Sequence, residues 1–210
     1  MQIKQLILGD YETNCYVLQG PGTGSCAVID PADDGPEICR ALKKLGTVPE
    51  AVLLTHGHFD HILAVPYLQE RWPRLPVYCH PLDCPKKTTE EYEGQIYPTV
   101  SAFRNLRRCE EGDSISAGGL SLRVICTPGH TPGSVTLISG NALFTGDTLF
   151  QGGIGRTDFE GGDNRAMMKS LARLAALSGD FRVFPGHGPA TTLNTERTHN
   201  PCLRMAMKLY

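Results

Sequence analysis

The sequence predicts an α/β protein in which two mixed β-sheets pack together with helices outside. Three observations carry that prediction. Short aliphatic and β-branched runs recur in both halves of the chain, separated by Gly, Pro and Asp. Two longer segments instead repeat their apolar residues at helical spacing. One run, Ala51–Thr55 (AVLLT), is continuously apolar, as a strand buried on both faces requires.

The elements follow in chain order. Ile3–Leu8, Asn14–Gln19 and Cys26–Asp30 are expected strands, bounded by turn residues. Pro36–Leu45 carries Ile38, Ala41, Leu42 and Leu45 on one helical face, and Gly46 stops it. The central strand Ala51–Thr55 comes next, then a helix over about Ile62–Glu70 that ends before Pro73, then a strand at Pro76–Cys79. Residues 83–114 are polar; a mobile flap or a pair of short helices is expected there, with Arg104, Arg107 and Arg108 on a solvated helix face. Strands return at Leu120–Cys126, Ser134–Ser139 and Ala142–Thr145. Asp163 is the expected N-cap of a helix over Asn164–Leu177, with Met167, Met168, Leu171, Leu174 and Ala175 facing one way. Arg182–Phe184 is the last expected strand. No internal repeat or low-complexity linker interrupts the chain, so residues 1–210 are expected to form a single domain.

Composition narrows the function classes. The chain has 20 Lys and Arg against 22 Asp and Glu, a net charge of −2, which offers no general attraction to nucleic acid or anionic lipid. No run approaches the ~18 apolar residues of a membrane span. The first residues, MQIKQLILGDYETN, lack the long apolar region and cleavage site of a signal peptide. A cytoplasmic protein is expected, and its eight scattered cysteines, without a CxxC pair, are expected to be reduced.

The chemistry is concentrated at strand ends. THGHFDH, residues 55–61, puts three of the chain's seven histidines within six positions, just beyond the central strand. His130 in TPGHTPGS, Asp147 in FTGDTLF and His187 in FPGHGP each follow another strand and are flanked by glycine. Any one of these histidines alone would pass for an ordinary surface or core residue. Together, four loops deliver His or Asp to the end of the sheet where α/β proteins bind ligands. Positions 56, 58 and 60 alternate, so in an extended segment their side chains point one way, and His61 must aim elsewhere. Five His and two Asp exceed the four ligands of one tetrahedral zinc and suit two metals sharing a carboxylate. His80 and His199 are expected outside this set, His80 in a supporting position at most. GGIGRT at 152–157 lacks the third glycine and the immediate helix of a nucleotide-binding loop, and that reading is rejected.

HxHxDH followed by distant His, Asp and His resembles the signature of the metallo-β-lactamase superfamily, over essentially the whole chain. The resemblance implies a four-layer αββα sandwich with a two-metal site at one edge. It implies that His56, His58 and His130 bind one ion, that Asp60, His61 and His187 bind the other, and that Asp147 bridges them. Two divalent ions are implied, zinc first, with iron or manganese as alternatives. TGDTLFQGGIGRTDF and ERTHNPCLR are most similar to glyoxalase II, the hydroxyacylglutathione hydrolases, of the short bacterial type without the C-terminal helical glutathione-binding segment. Arg156 stands where longer enzymes carry a glutathione-contacting Lys, although the Tyr that follows it there is not evident. The expected activity is hydrolysis of a thioester, S-lactoylglutathione or another hydroxyacylglutathione, by metal-activated hydroxide, with Asp60 also orienting the water. The partner is then a small-molecule thioester, with neither nucleic acid nor membrane involved. The alternatives are a mononuclear-iron oxidoreductase like the persulfide dioxygenases and a hydrolase of non-glutathione esters. Transfer-RNA processing would require a basic docking arm that this chain lacks.

Overall fold

The computed structural model describes residues 1–210. In chain order the elements are β1 (Gln2–Leu8), β2 (Thr13–Gln19), β3 (Ser25–Ile29), α1 (Gly35–Leu45), β4 (Val48–Leu53), α2 (Val65–Arg71), β5 (Val77–Cys79), β6 (Thr89–Tyr92), β7 (Gln95–Pro98), β8 (Leu106–Arg108), β9 (Ser114–Ala117), β10 (Leu120–Cys126), β11 (Val135–Ser139), β12 (Ala142–Gly146), α3 (Asn164–Ala175), β13 (Arg182–Pro185), β14 (Thr191–Thr192), α4 (Leu193–His199) and α5 (Pro201–Leu209). One six-stranded sheet has the order β1-β2-β3-β4-β5-β8 and the other β14-β13-β12-β11-β10-β9. Both are mixed: β3, β4, β5 and β8 run parallel in the first, and β12 and β13 in the second.

Four layers result from strand alternation. Along the central strand, Ala51 and Leu53 enter the core between the sheets, where they join Tyr16, Leu18, Leu122, Leu137 and Phe144. Val52 and Leu54 point the other way, into the core that α1 and α2 close with Ile38, Leu42, Val65 and Leu68. This is the strand buried on both faces that AVLLT predicts. A third core lies outside the second sheet, where Met167, Leu171 and Leu174 of α3 pack with Leu203 and Ala206 of α5. The architecture is therefore helix, sheet, sheet, helix. No helix is long and apolar enough to cross a membrane.

Most expected elements are present with shifted ends. Asp163 caps α3 by accepting from the backbone N–H groups of Arg165 and Ala166. The second helix starts at Val65 rather than Ile62, because residues 59–61 form a tight 3₁₀ turn and Pro66, which has no N–H to donate, suits the first turn of the helix.

Of the two alternatives for residues 83–114, the pair of short helices does not form: β6 and β7 make a β-hairpin whose turn is Glu93-Gly94, both at positive φ (50° and 79°). Two-residue hairpins favour that left-handed pair because it matches strand twist. Arg107 and Arg108 lie on edge strand β8, and Arg104 bonds the Gln69 carbonyl at 2.8 Å, so the three arginines form no helix face. Strands β9 and β14 and helices α4 and α5 are additions to the elements expected from sequence.

Candidate metal centre

The parallel arrangement brings the C-terminal ends of β4, β12 and β13 to one edge, and cross-sheet hydrogen bonds hold it closed. The Val135 N–H donates to the Thr55 carbonyl at 2.8 Å, and the Asn14 N–H to Gly186 at 2.7 Å. The Asn14 amide also donates to the carbonyls of Pro185 (2.9 Å) and Gly188 (2.8 Å), fixing the loop that carries His187.

All seven expected donors converge at this edge. His56, His58 and His130 form one group, His56, His61 and Asp147 a second, and Asp60, His61 and His187 a third, each with its donor atoms within 4.8 Å of one another. His58 Nδ1 lies 2.9 Å from His130 Nε2, and His61 Nε2 lies 3.3 Å from His187 Nε2. Asp147 stands between the groups: Oδ1 is 3.5 Å from His61 Nε2, and Oδ2 is 3.5 Å from His130 and 3.6 Å from His187. Donors about 2.05 Å from a tetrahedral zinc are about 3.3 Å apart, so these separations fit a shared ion.

Four of the five rings are held from behind, the exception being His58, whose Nδ1 faces His130 Nε2. His61 Nδ1 faces Asp30 Oδ2 at 3.0 Å, His130 Nδ1 the Arg156 carbonyl at 2.7 Å, and His187 Nδ1 the Tyr11 carbonyl at 3.0 Å. His56 Nδ1 meets Thr55 Oγ1 at 3.1 Å. Those acceptors hold a proton on Nδ1 and direct Nε2 toward the centre, the orientation that metal-ligating histidines require. Two buried atoms at the centre, His56 Nε2 and Asp147 Oδ1, have no hydrogen-bond partner. Orphaned buried acceptors are costly; a cation between them would satisfy both. The donor set therefore fits metal.

Electrostatics agree with that fit. Burial, reinforced by the neighbouring imidazoles, drives the His56 pKa well below its ordinary value. Burial and His130 bring His58 down to about 4. Burial opposes charge on His61 and His187 too, but Asp60 and Asp147 outweigh it, and both pKa values rise. The same attraction overcomes burial at Asp60 and Asp147, whose carboxyls are held below the usual range. Two neutral imidazoles beside two ionised carboxylates are donors already in metal-binding form, and the same carboxylates favour positive charge at His61 and His187, where a cation would serve them equally.

Supporting residues that sequence reasoning missed complete the centre. Asp30, after β3, accepts from the Thr55 N–H (2.8 Å) and hydroxyl (2.6 Å) as well as from His61. Asp83 accepts from Gly57 N (2.9 Å), Thr131 Oγ1 (2.6 Å) and Gly133 N (2.7 Å), tying the His56–His58 loop to the His130 loop. Thr13 Oγ1 donates to Asp60 Oδ2 at 3.0 Å. Asp30 directly follows a strand, the same signal that marks Asp147, whereas Asp83 ends the 3₁₀ turn Pro81–Asp83 beyond β5. His80 has a merely local role, accepting from Leu82 N at 3.3 Å, and His199 is exposed on α4.

A cleft of about 940 Å³ opens over the donors, with Tyr11, Phe59, Tyr92, Phe150 and Phe159 in its walls. The hairpin contributes to one wall: Tyr97 stacks on Phe59 at 4.1 Å and Tyr92 lies 5.2 Å from it. Arg156 also lines the cleft, but Asp158 of this same chain holds its guanidinium, with two 2.7 Å bonds.

Comparison with known proteins places this geometry. A family model described as "Metallo-beta-lactamase superfamily" matches residues 8–187. The "Probable metallo-hydrolase YqgX" of Bacillus subtilis is 36% identical, covering 97% of this chain and 98% of its own length. "Hydroxyacylglutathione hydrolase GloC" of Haemophilus influenzae is 31% identical over 97% and 98%. Among solved structures, BLEG-1, titled a B3 metallo-beta-lactamase, superposes with a TM-score of 0.87 at 35% identity, covering 96% of this chain and 99% of that one. TTHA1623 in a di-iron-bound form gives 0.81 at 38% identity over 94% and 98%.

Proposed function

The chain belongs to the metallo-β-lactamase superfamily, and on that premise we propose that it is a dinuclear metal-dependent hydrolase of thioesters. S-lactoylglutathione or another hydroxyacylglutathione is its preferred substrate. The observation that carries the reading is the set of three overlapping donor groups with Asp147 between them.

His56, His58 and His130 would hold one ion, Asp60, His61 and His187 the other, and Asp147 both. Zinc suits the His and Asp donors, and iron or manganese would be accepted by the same atoms. When bound, the metals supply Lewis acidity, which lowers the pKa of water from 15.7 to about 7 and stabilises negative charge at an acyl oxygen. Asp60, fixed by Thr13, orients the attacking water through its carboxylate. The aromatic walls of the cleft hold the substrate and exclude bulk water. A thiolate leaves with a pKa near ~8.5, so no general acid has to be built into the site. Support for the glutathione carrier comes from the hydroxyacylglutathione hydrolase relative.

The test is a panel of substrates on metal-reconstituted protein: S-lactoylglutathione, a thioester without glutathione, a chromogenic cephalosporin, and glutathione persulfide with oxygen uptake. S-lactoylglutathione should be turned over fastest. Equal rates on both thioesters would remove the glutathione assignment. Faster cephalosporin cleavage, or oxygen consumption, would overturn the thioesterase reading itself.

A further inference from the structure

Cys79 and Cys84 stand at the two ends of CHPLDC, outside the metal donors but joined to their loops through Asp83. Cys79 ends β5 and is buried, and Cys84 packs half-buried against the same core. The 3₁₀ turn Pro81–Asp83 folds the segment back on itself. The Asp83 N–H donates to the His80 carbonyl at 3.0 Å and the Cys84 N–H to the Pro81 carbonyl at 3.2 Å. The Cys84 thiol also reaches the His80 carbonyl, at 3.5 Å. That return brings the two sulfurs together. The Cys79 S–H bonds to the Cys84 sulfur, which lowers the Cys84 pKa; the same bond, with burial, raises that of Cys79. One thiol thus ionises first while its buried neighbour keeps a proton, as in a pair of attacking and resolving sulfurs.

Asp83 has no room to move beside this pair. Its carboxylate bonds Gly57, Thr131 and Gly133, and its backbone packs on the same loops. A Cβ at Gly57 would meet the Asp83 carbonyl oxygen at 2.7 Å, and one at Gly133 would meet the Asp83 nitrogen at 2.8 Å. Gly57 lies between His56 and His58, and Gly133 follows closely on His130.

We propose that Cys79 and Cys84 are a redox modification site: hydrogen peroxide converts the pair to a disulfide, which weakens metal binding by displacing Asp83. The Cys84 thiolate attacks one peroxide oxygen and the O–O bond breaks. Sulfur is oxidised to a sulfenic acid, and the other oxygen leaves as hydroxide, which takes up the proton that Cys84 lost. The Cys79 sulfur then attacks the Cys84 sulfur, the S–O bond breaks, and the departing hydroxide takes the Cys79 proton. Two thiols and one peroxide give one disulfide and two waters. A covalent S–S bond is shorter than a non-bonded thiol contact, so closing it draws Cys84 toward β5 and pulls Asp83 from its partners. The site acts on the metal centre whatever the substrate, so it does not depend on the thioester reading.

The experiment exposes the zinc-loaded chain to hydrogen peroxide, blocks it with N-ethylmaleimide and digests it with trypsin. Zinc affinity is measured in parallel by competition with a coloured chelator. Both cysteines fall in one tryptic peptide, Leu75–Lys86. That peptide should appear two hydrogens lighter and unlabelled, and the oxidised chain should hold zinc at least ~10-fold more weakly. Reduction by a phosphine should reverse both changes. Cys84→Ser should form no bridge and keep its zinc. Cys79→Ala should stop at the sulfenic acid, trapped with dimedone, and keep its zinc too. An unoxidised pair, a bridge to another cysteine, a bridge that leaves zinc affinity unchanged, or equal zinc loss from Cys84→Ser would each overturn the proposal.

Discussion

Asp30 Oδ2 and His61 Nδ1 face each other at 3.0 Å, and both side chains are buried. Asp30 adopts φ 46°, a left-handed conformation that Asn also tolerates, so Asp30→Asn keeps the backbone. Its amide would put an N–H where His61 needs an acceptor. His61 would then carry its proton on Nε2, pointing at the other donors. Metal affinity at the Asp60, His61 and His187 group should fall about 10- to 100-fold. Competition against a coloured chelator measures this, and unchanged affinity would mean that Asp30 does not set the tautomer.

Asp83 joins two loops that are far apart in sequence. Asp83→Ala leaves Gly57 N, Gly133 N and the Thr131 hydroxyl without their acceptor. Global stability should drop by about 3 kcal/mol, seen as an earlier urea midpoint with little change in slope. A loss below about 0.5 kcal/mol would assign the tie between these loops to other contacts.

Proton release follows from the pKa pattern. His61 and His187 are raised above the ordinary histidine value in the metal-free protein, whereas His56 and His58 are lowered and already neutral at pH 7. Metal must displace the protons on the first two, so apparent affinity rises with pH until it passes their raised values. Near neutral pH, protons should be released as the site fills, read by calorimetry in buffers of different ionisation enthalpy. Binding without proton release would show that the carboxylates do not hold these imidazoles charged.

Gly186 has no room for a side chain. A Cβ there would press on Asp147 Oδ1 and on His61 Cε1, which it would meet at 2.7 Å. Gly186→Ala should therefore move a shared donor and cut metal affinity at least ~10-fold, while the exposed Gly188→Ala, where only the positive φ of 74° resists, should keep its metal. Metal content after gel filtration distinguishes the two.

The donors were legible because they follow apolar strand runs in glycine-flanked loops; the alternation held for His56 and His58 only, since the 3₁₀ turn over 59–61 carries Asp60 into the group with His61 and His187. Asp30 and Asp83 escaped because a single acidic residue beyond a strand reads as turn chemistry, and only the folded chain brings Asp83 to Gly57 and Gly133. The hairpin over 89–98 was hidden by Glu90, Glu91 and Glu93, whose charges mask the Thr89, Tyr92, Ile96 and Tyr97 β-formers. In α5 only Leu203 and Ala206 are buried, against α3, too few apolar positions for a periodic signal. Arg156 was legible as a cleft residue, but its engagement by Asp158 depends on a local turn that sequence spacing does not specify.

The central claim is that hydrolysis requires two ions sharing Asp147. Chelator-stripped protein should be titrated with zinc while S-lactoylglutathione hydrolysis is followed. The rate should stay low through the first equivalent and rise through the second, levelling off at about two ions per chain. Full activity at one equivalent, or none at two, would contradict the account.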